Sequence, residues 1–191
     1  VQGTQAVEKK RGEAEDFFDS SLVTQRMLEY ESRGAYIHNP RILDLDGRQV
    51  NVLDWGCDYR YVYDVYIDCE ARDVRFGMMI KTTSGNELGG MNSPAAGSRG
   101  GPELNGRQLT VTFPFRCALL PGIYFLNAGV SGNLDGEDVF LHRVIDFCMF
   151  RVKQEDALML GGIVDFSIPG QRVGIHEKSY SSETTSNKVD Q

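Results

Sequence analysis

The sequence predicts an all-β fold, a sandwich or a barrel of short antiparallel strands. Three observations predict it. From Gly34 onward apolar residues recur with a period of two, the signature of half-buried strands. Turn pairs punctuate those runs at short spacing, among them Asp46-Gly47, Pro121-Gly122 and Asp135-Gly136. No helical pattern intervenes between the runs, which excludes a chain of βαβ units.

Residues 1–16 are polar, lack apolar periodicity and read as a linker or frayed terminus. Residues 17–29 offer Phe17, Phe18, Leu22 and Leu28 to a short helix or to loose turns, interrupted by Asp19, Ser20 and Ser21. Ile37, Leu43 and Leu45 then lead into Asp46-Gly47, and Val50 and Val52 follow. An Asp-Gly between apolar runs is a hairpin signal. In the next run Tyr61, Tyr63, Val65, Ile67 and Cys69 share one face, against Arg60, Val62, Asp64, Tyr66 and Asp68. Only one face is continuously apolar, as in an antiparallel strand with one side on a core. Val74, Phe76, Met78 and Ile80 repeat the pattern against Arg75, Gly77, Met79 and Lys81. Residues 84–106 are rich in Gly, Ser, Asn and Pro without periodicity, and are expected to form one long loop. Leu109, Val111, Phe113 and Phe115 alternate with Thr110, Thr112 and Arg116. Leu120-Pro121-Gly122-Ile123-Tyr124 is a turn feeding a strand through a Tyr whose hydroxyl ties down the corner, an arrangement suited to a sandwich. Residues 123–130, 139–141, 146–152 and 163–168 complete about eight or nine strands. Residues 176–191 read as a polar tail.

A chain of 191 residues is one domain with extensions, long enough to bury a core without metals or disulfide staples. Apolar residues at 41% and charged residues at 25% are globular proportions, and no apolar run is long enough to cross a bilayer as a helix. The net charge of −7 shows no basic face, so neither nucleic acid nor anionic lipid is an expected partner. Cys57, Cys69, Cys117 and Cys148 form no CxxC pair and read as reduced core residues, which suits a cytoplasmic protein. His38, His142 and His176 show no metal-ligand spacing. Ser131-x-Asn133-x-Asp135-Gly136 resembles the start of a calcium loop, but Ser131 and His142 stand where such a loop needs Asp and Glu, so a hairpin is expected. The Gly-rich stretch 85–106 has no Gly-Lys pair for a phosphate loop, and no GxSxG elbow occurs. Asp64 and Asp68, on one strand face, would stand roughly 13 Å apart, beyond the roughly 5–9.5 Å a glycosidase pair spans. No catalytic residue, no metal ligand and no cofactor is assigned, and the chain is not expected to be an enzyme.

Binding features are more positive. The faces opposite the core residues carry Asp64, Tyr66, Arg75, Met79, Lys81, Phe125, Asn127 and Phe147, and Trp55 falls in a turn between strands. Flat aromatic surface beside directional polar groups is what sugar recognition needs. These nine residues are the candidate carbohydrate-binding set. The competing reading makes the off-face aromatics a second packing surface and lets Trp55 plug the end of the core.

Five pieces follow one another along the chain: Tyr30-Glu31-x-x-Gly34-Ala35-x-Ile37, Leu43-x-Leu45-Asp46-Gly47, Phe76-Gly77-Met78-x-Ile80, Leu120-Pro121-Gly122-x-Tyr124 and Asp146-Phe147-x-x-Phe150-x-Val152. This order, over about residues 30–153, resembles the C-terminal domain of Wzt, the nucleotide-binding subunit of ABC transporters that export O-antigen polysaccharide. The resemblance implies an immunoglobulin-like antiparallel β-sandwich at 30–170, a linker at 1–29 from an ATPase domain upstream, and a tail at 171–191. It implies non-catalytic binding of the capped, non-reducing end of the O-antigen polysaccharide, so that only finished chains are exported. It implies a cytoplasmic location at the inner membrane, with the transporter's membrane subunit reached through the ATPase domain. Segment 157–168, set off by residues 153–156, is an element that two subunits of a homodimer can exchange. The family pattern is structural and transfers no site residue. The alternative is a structural or dimerisation sandwich that binds no glycan.

Overall fold

Ten strands and no helix occupy the described residues of the computed structural model, which are 17–96, 104–153, 161–167, 171, 174 and 175. The strands are β1 (Leu28–Glu29), β2 (Ala35–Leu43), β3 (Gln49–Val50), β4 (Val52–Leu53), β5 (Asp58–Ile67), β6 (Arg72–Thr82), β7 (Glu87–Asn92), β8 (Arg107–Arg116), β9 (Gly122–Leu134) and β10 (Glu137–Val152). They form two sheets. One runs β1-β10-β9-β6-β7, with β4 added to the end of β10; the other runs β3-β2-β5-β8. Every pairing is antiparallel except that of β4 with β10. The fold is therefore the all-β sandwich that the period-two alternation predicts.

The core lies between the sheets. Tyr61, Tyr63, Val65 and Ile67 of β5 face Val74, Phe76 and Met78 of β6 and Leu126, Ala128 and Val130 of β9, all buried. Each aliphatic side chain sealed there is worth about 1.5–3 kcal/mol. Tyr124 closes one corner, its hydroxyl donating to the Leu120 carbonyl at 2.7 Å. Asp135-Gly136 is a two-residue hairpin joining β9 to β10, with φ of 53° and 91°. Positive φ at both central positions is what the tight hairpin turn requires, so the resemblance to a calcium loop ends there. Among the described residues no three His, Cys, Asp or Glu side chains converge as metal ligands.

Three expectations change. Residues 84–106 are not one loop: β7 lies within them and pairs with β6. It escaped the sequence pattern because it is an edge strand with little to bury. It also needs glycine at position 90, where any side chain would collide with the Met78 carbonyl. Residues 17–29 contain turns and β1 but no helix. Their anchor is polar: the Asp19 N–H donates to Asn51 Oδ1 at 2.7 Å, and Asn51 Nδ2 donates back to the Asp19 carbonyl at 2.7 Å. In place of a strand at 163–168, the described residues 161–167 make a single bridge, Val164 to Leu119. Residues 97–103, 154–160 and 168, and most of 171–191, lie outside the described residues, as do 1–16.

Candidate functional site

The nine candidate residues do not share one surface. Asp64 and Tyr66 are on β5, on the outer face of the β3-β2-β5-β8 sheet; Arg75, Met79 and Lys81 of β6 and Phe125 and Asn127 of β9 face outward from the other sheet. Alternation along a strand separates inside from outside, but it does not say which sheet the strand joins. Asp64 is committed to structure. Its carboxylate takes Arg41 at 3.1 Å, Asn39 at 2.8 Å and Thr110 at 2.8 Å. Burial alone would raise its pKa, but these donors outweigh that and hold it below the usual value. Tyr66 stacks on Tyr36, ring centroids 6.4 Å apart. Trp55, in the turn after β4, packs half-buried against the core, as does Phe147.

Phe125 and Asn127 were expected at the surface, yet they are only 8% and 4% exposed. A bulge covers them. The β9–β10 register slips between Val144 and Cys148, which frees residues 145–147 from the ladder. Asp146 takes φ 54° there, its N–H donates to Asn127 Oδ1 at 2.9 Å, and its carboxylate pairs with Lys81 Nζ at 2.6 Å. Lys81 is thus a structural cation, not a free one for a ligand.

What this sheet does present is a trench across the strands. Asn92, Gly77, Gly129 and Arg143 stand side by side on β7, β6, β9 and β10. The two glycines leave the row without side chains at its centre. Arg75, Ser131 and Phe140 form the next row on one side, and Met79 with Asn127 the row on the other. The result is a groove of about 130 Å³ lined by Gly77, Met79, Asn92, Asn127, Gly129, Phe140 and Arg143. Past Phe140 and Arg143 it meets a second hollow of about 350 Å³, walled by Tyr30, Glu31, Arg33 and His142. Phe140 is 55% exposed and Tyr30 49%. The Arg143 guanidinium lies over both rings, 5.3 Å from the Phe140 centroid and 6.0 Å from that of Tyr30. Cation–π contact of this kind holds an exposed aromatic in place. Arg143 also approaches Glu87 at 3.9 Å across the trench.

His142 braces the wall from behind. It is 2% exposed, accepts the Ile37 N–H on Nδ1 at 3.0 Å and directs Nε2 to Glu29 at 3.2 Å. A backbone N–H can only donate, so Nδ1 is unprotonated and the ring proton sits on Nε2. Burial pushes its pKa below 6.5, more than Glu29 raises it.

A wider hollow of about 470 Å³ lies on the other sheet beside Leu45, Tyr59, Arg60, Phe115 and Arg116. Its Arg60 is committed to the carbonyls of Asp44 and Leu45, at 2.8 and 3.0 Å. The trench is the better site, because it joins exposed aromatics to oriented amides over a bare backbone floor. Sequence reading missed Tyr30, Asn92, Phe140 and Arg143. Asn92 sits where a loop was expected. Phe140 and Arg143 straddle a second register shift, between Phe140 and His142, that scrambles the parity. The readable signal was glycine at two off-face positions, 77 and 129, of otherwise well-formed strands.

A family model described as the Wzt C-terminal domain matches residues 26–166. Among solved structures, the crystal structure of the C-terminal domain of Wzt superposes with a TM-score of 0.65 at 20% identity, over 78% of this chain and 90% of that one. That identity speaks for the fold alone. The Pseudomonas fluorescens alkylpurine DNA glycosylase AlkC bound to DNA containing an abasic site analog matches with a TM-score of 0.40 at 12% identity, over 65% of this chain and 32% of that one, a likeness that carries no argument. Comparison with curated proteins finds no match.

Proposed function

The chain belongs to the Wzt C-terminal domain family, and on that premise we propose that it binds the capped, non-reducing end of an O-antigen polysaccharide without breaking a bond. The family sets the context, the ATP-binding subunit of an O-antigen ABC transporter. The single observation that supports glycan recognition is the trench, where Phe140 and Tyr30 stand exposed around Arg143 above a floor of Gly77 and Gly129. An aromatic face takes the apolar side of a sugar ring, while amides and a guanidinium fix its hydroxyls. Reversible binding of a finished end is enough to couple completion to export, since it needs only a difference in affinity between finished and unfinished chains. The domain acts on the cytoplasmic side of the inner membrane, beside the membrane subunit, through an ATPase domain.

The test is titration of the purified chain with O-polysaccharide from the source cell, with and without its terminal cap. Binding that needs the cap is expected, and Phe140→Ala is expected to weaken it about tenfold with a native circular dichroism spectrum. Equal affinity for capped and uncapped glycan would remove end recognition. Equal affinity of the variant would move the site off the trench.

The working unit in this reading is a homodimer, formed by exchange of segment 157–168. In support, the described part of that segment lies along 118–120 through backbone contacts alone: Leu120 N–H to the Ile163 carbonyl at 2.8 Å and Asp165 N–H to the Ala118 carbonyl at 2.7 Å. Such contacts are indifferent to which copy supplies the segment. Phe166 beside it is 90% exposed, an apolar side chain suited to a partner.

A further inference from the structure

We infer that Asn127 carries the specificity-determining donor of the trench, its Nδ2 reserved for an acceptor oxygen of one neutral, hydroxylated sugar ring seated on the Gly77–Gly129 floor. This rests on the glycan reading above and deepens it.

Asn127 is a buried side chain on an outward-facing position, and it lines the groove. Its Oδ1 is occupied by the Asp146 N–H at 2.9 Å. That contact also settles which end of the amide is which, since a backbone N–H needs an oxygen opposite it. The other end, Nδ2, has no hydrogen-bond partner among the described residues. Buried amides are almost always satisfied, because leaving one unpaired costs free energy that nothing else in the fold returns. Here the groove is the place from which a partner can come. The amide is held for that purpose. Asp146 sits in a left-handed bulge conformation and its carboxylate is locked to Lys81 at 2.6 Å, so the residue that orients Asn127 cannot easily turn away.

The rest of the groove defines the ligand. Asn92 Oδ1 overhangs the same floor, 2.7 Å from where a Cβ on Gly77 would stand. It supplies an acceptor to match the donor on Asn127. A hydroxyl group is the one common function that both accepts and donates. A volume of about 130 Å³ is close to the ~150 Å³ cavity that holds one benzene ring, so there is room for one ring and not for a chain segment. The nearby cations already face carboxylates, Lys81 with Asp146 and Arg143 with Glu87. That balance favours a neutral ring over an anionic one.

The test uses the ¹⁵N-labelled 191-residue chain. The probes are O-polysaccharide from the source cell and the monosaccharides released from it by acid hydrolysis. The Asn127 side-chain amide signal is assigned by its loss in Asn127→Asp. That variant keeps an oxygen for the Asp146 N–H but replaces the donor. The expected result is a shift of this amide signal on titration, at least tenfold weaker binding by Asn127→Asp, and loss of binding by Gly129→Val. The valine is tolerated by the fold, since a Cβ at 129 stands 3.7 Å from Phe140 Cε1, but it fills the floor. Should Asn127→Asp fail to fold, the wild-type amide signal and Gly129→Val decide. If wild type binds while the amide signal stays put and both variants bind as wild type does, the inference is overturned and the glycan reading stands. If wild type binds no probe, the glycan reading falls and takes this ligand class with it.

Discussion

A single imidazole links the groove wall to the acid response of the whole domain. His142 is neutral because its Nδ1 must accept the Ile37 N–H, and because burial disfavours the charged ring. Glu29 on Nε2 is the carboxylate that faces it, Tyr36 is the nearest ring at 6.4 Å, and neither reverses the shift. The folded pKa therefore lies below the unfolded value near 6.5. The sign follows: between those two values the unfolded chain binds more protons, so stability is full above pH 6.5 and is lost as pH falls toward the folded pKa. We expect the melting temperature to drop from pH 7 to pH 5, and His142→Gln, which retains an acceptor for Ile37, to flatten that part of the profile. Parallel slopes in the two proteins would show that another group titrates. None of this was legible beforehand. His142 read as a chance histidine, because its partners lie on β1 and β2, more than a hundred residues away in sequence.

Strands and turns were far more legible, and their failures share one cause. Asp46-Gly47, Asp135-Gly136 and the Tyr124 corner are local features whose residues carry their own geometry, so they could be read directly. We expect Tyr124→Phe to cost about 1 kcal/mol in urea unfolding through loss of the hydroxyl bond to Leu120, with glycan affinity unchanged. Bulges are different, since an extra residue reverses parity without marking the sequence. The slip between Val144 and Cys148 buried Phe125 and Asn127, and the slip at Phe140 hid the aromatic that matters most. The first bulge depends on Asp146. Asp146→Asn keeps a side chain that tolerates positive φ and removes the charge opposite Lys81. Both side chains are largely shielded, so the orphaned ammonium should destabilise the domain by about 2–3 kcal/mol. Adding Lys81→Met should recover part of that loss. If the double variant is no better than Asp146→Asn alone, the bulge is not held by the ion pair.

At the scale of the molecule, two outward faces exist where strand parity suggested one. Asp64 and Tyr66 stand on the opposite side of the sandwich from Arg75, Met79 and the trench. Which strand joins which sheet is decided by long-range pairing, such as β6 with β9, and short-range pattern carries no record of it. The same reasoning governs assembly. Segment 163–165 completes the structure along 118–120 by main-chain bonds, which any copy of the segment can make. A chain ending at residue 156 loses those bonds and uncovers Leu119 and Leu120, both buried when the segment is present. Exchange predicts that the full chain is a dimer by light scattering and the shortened chain a monomer. No described residue of 161–167 lines the trench, so affinity for a single glycan end should survive the truncation. Only apparent affinity for a surface bearing many ends should fall, by the loss of two-handed attachment. A full-length monomer would confine this segment to a structural role within one chain. A shortened chain that remains dimeric would place the subunit contact elsewhere, with the exposed residues of the N-terminal segment, Phe18, Val23 and Met27, as the next surface to alter.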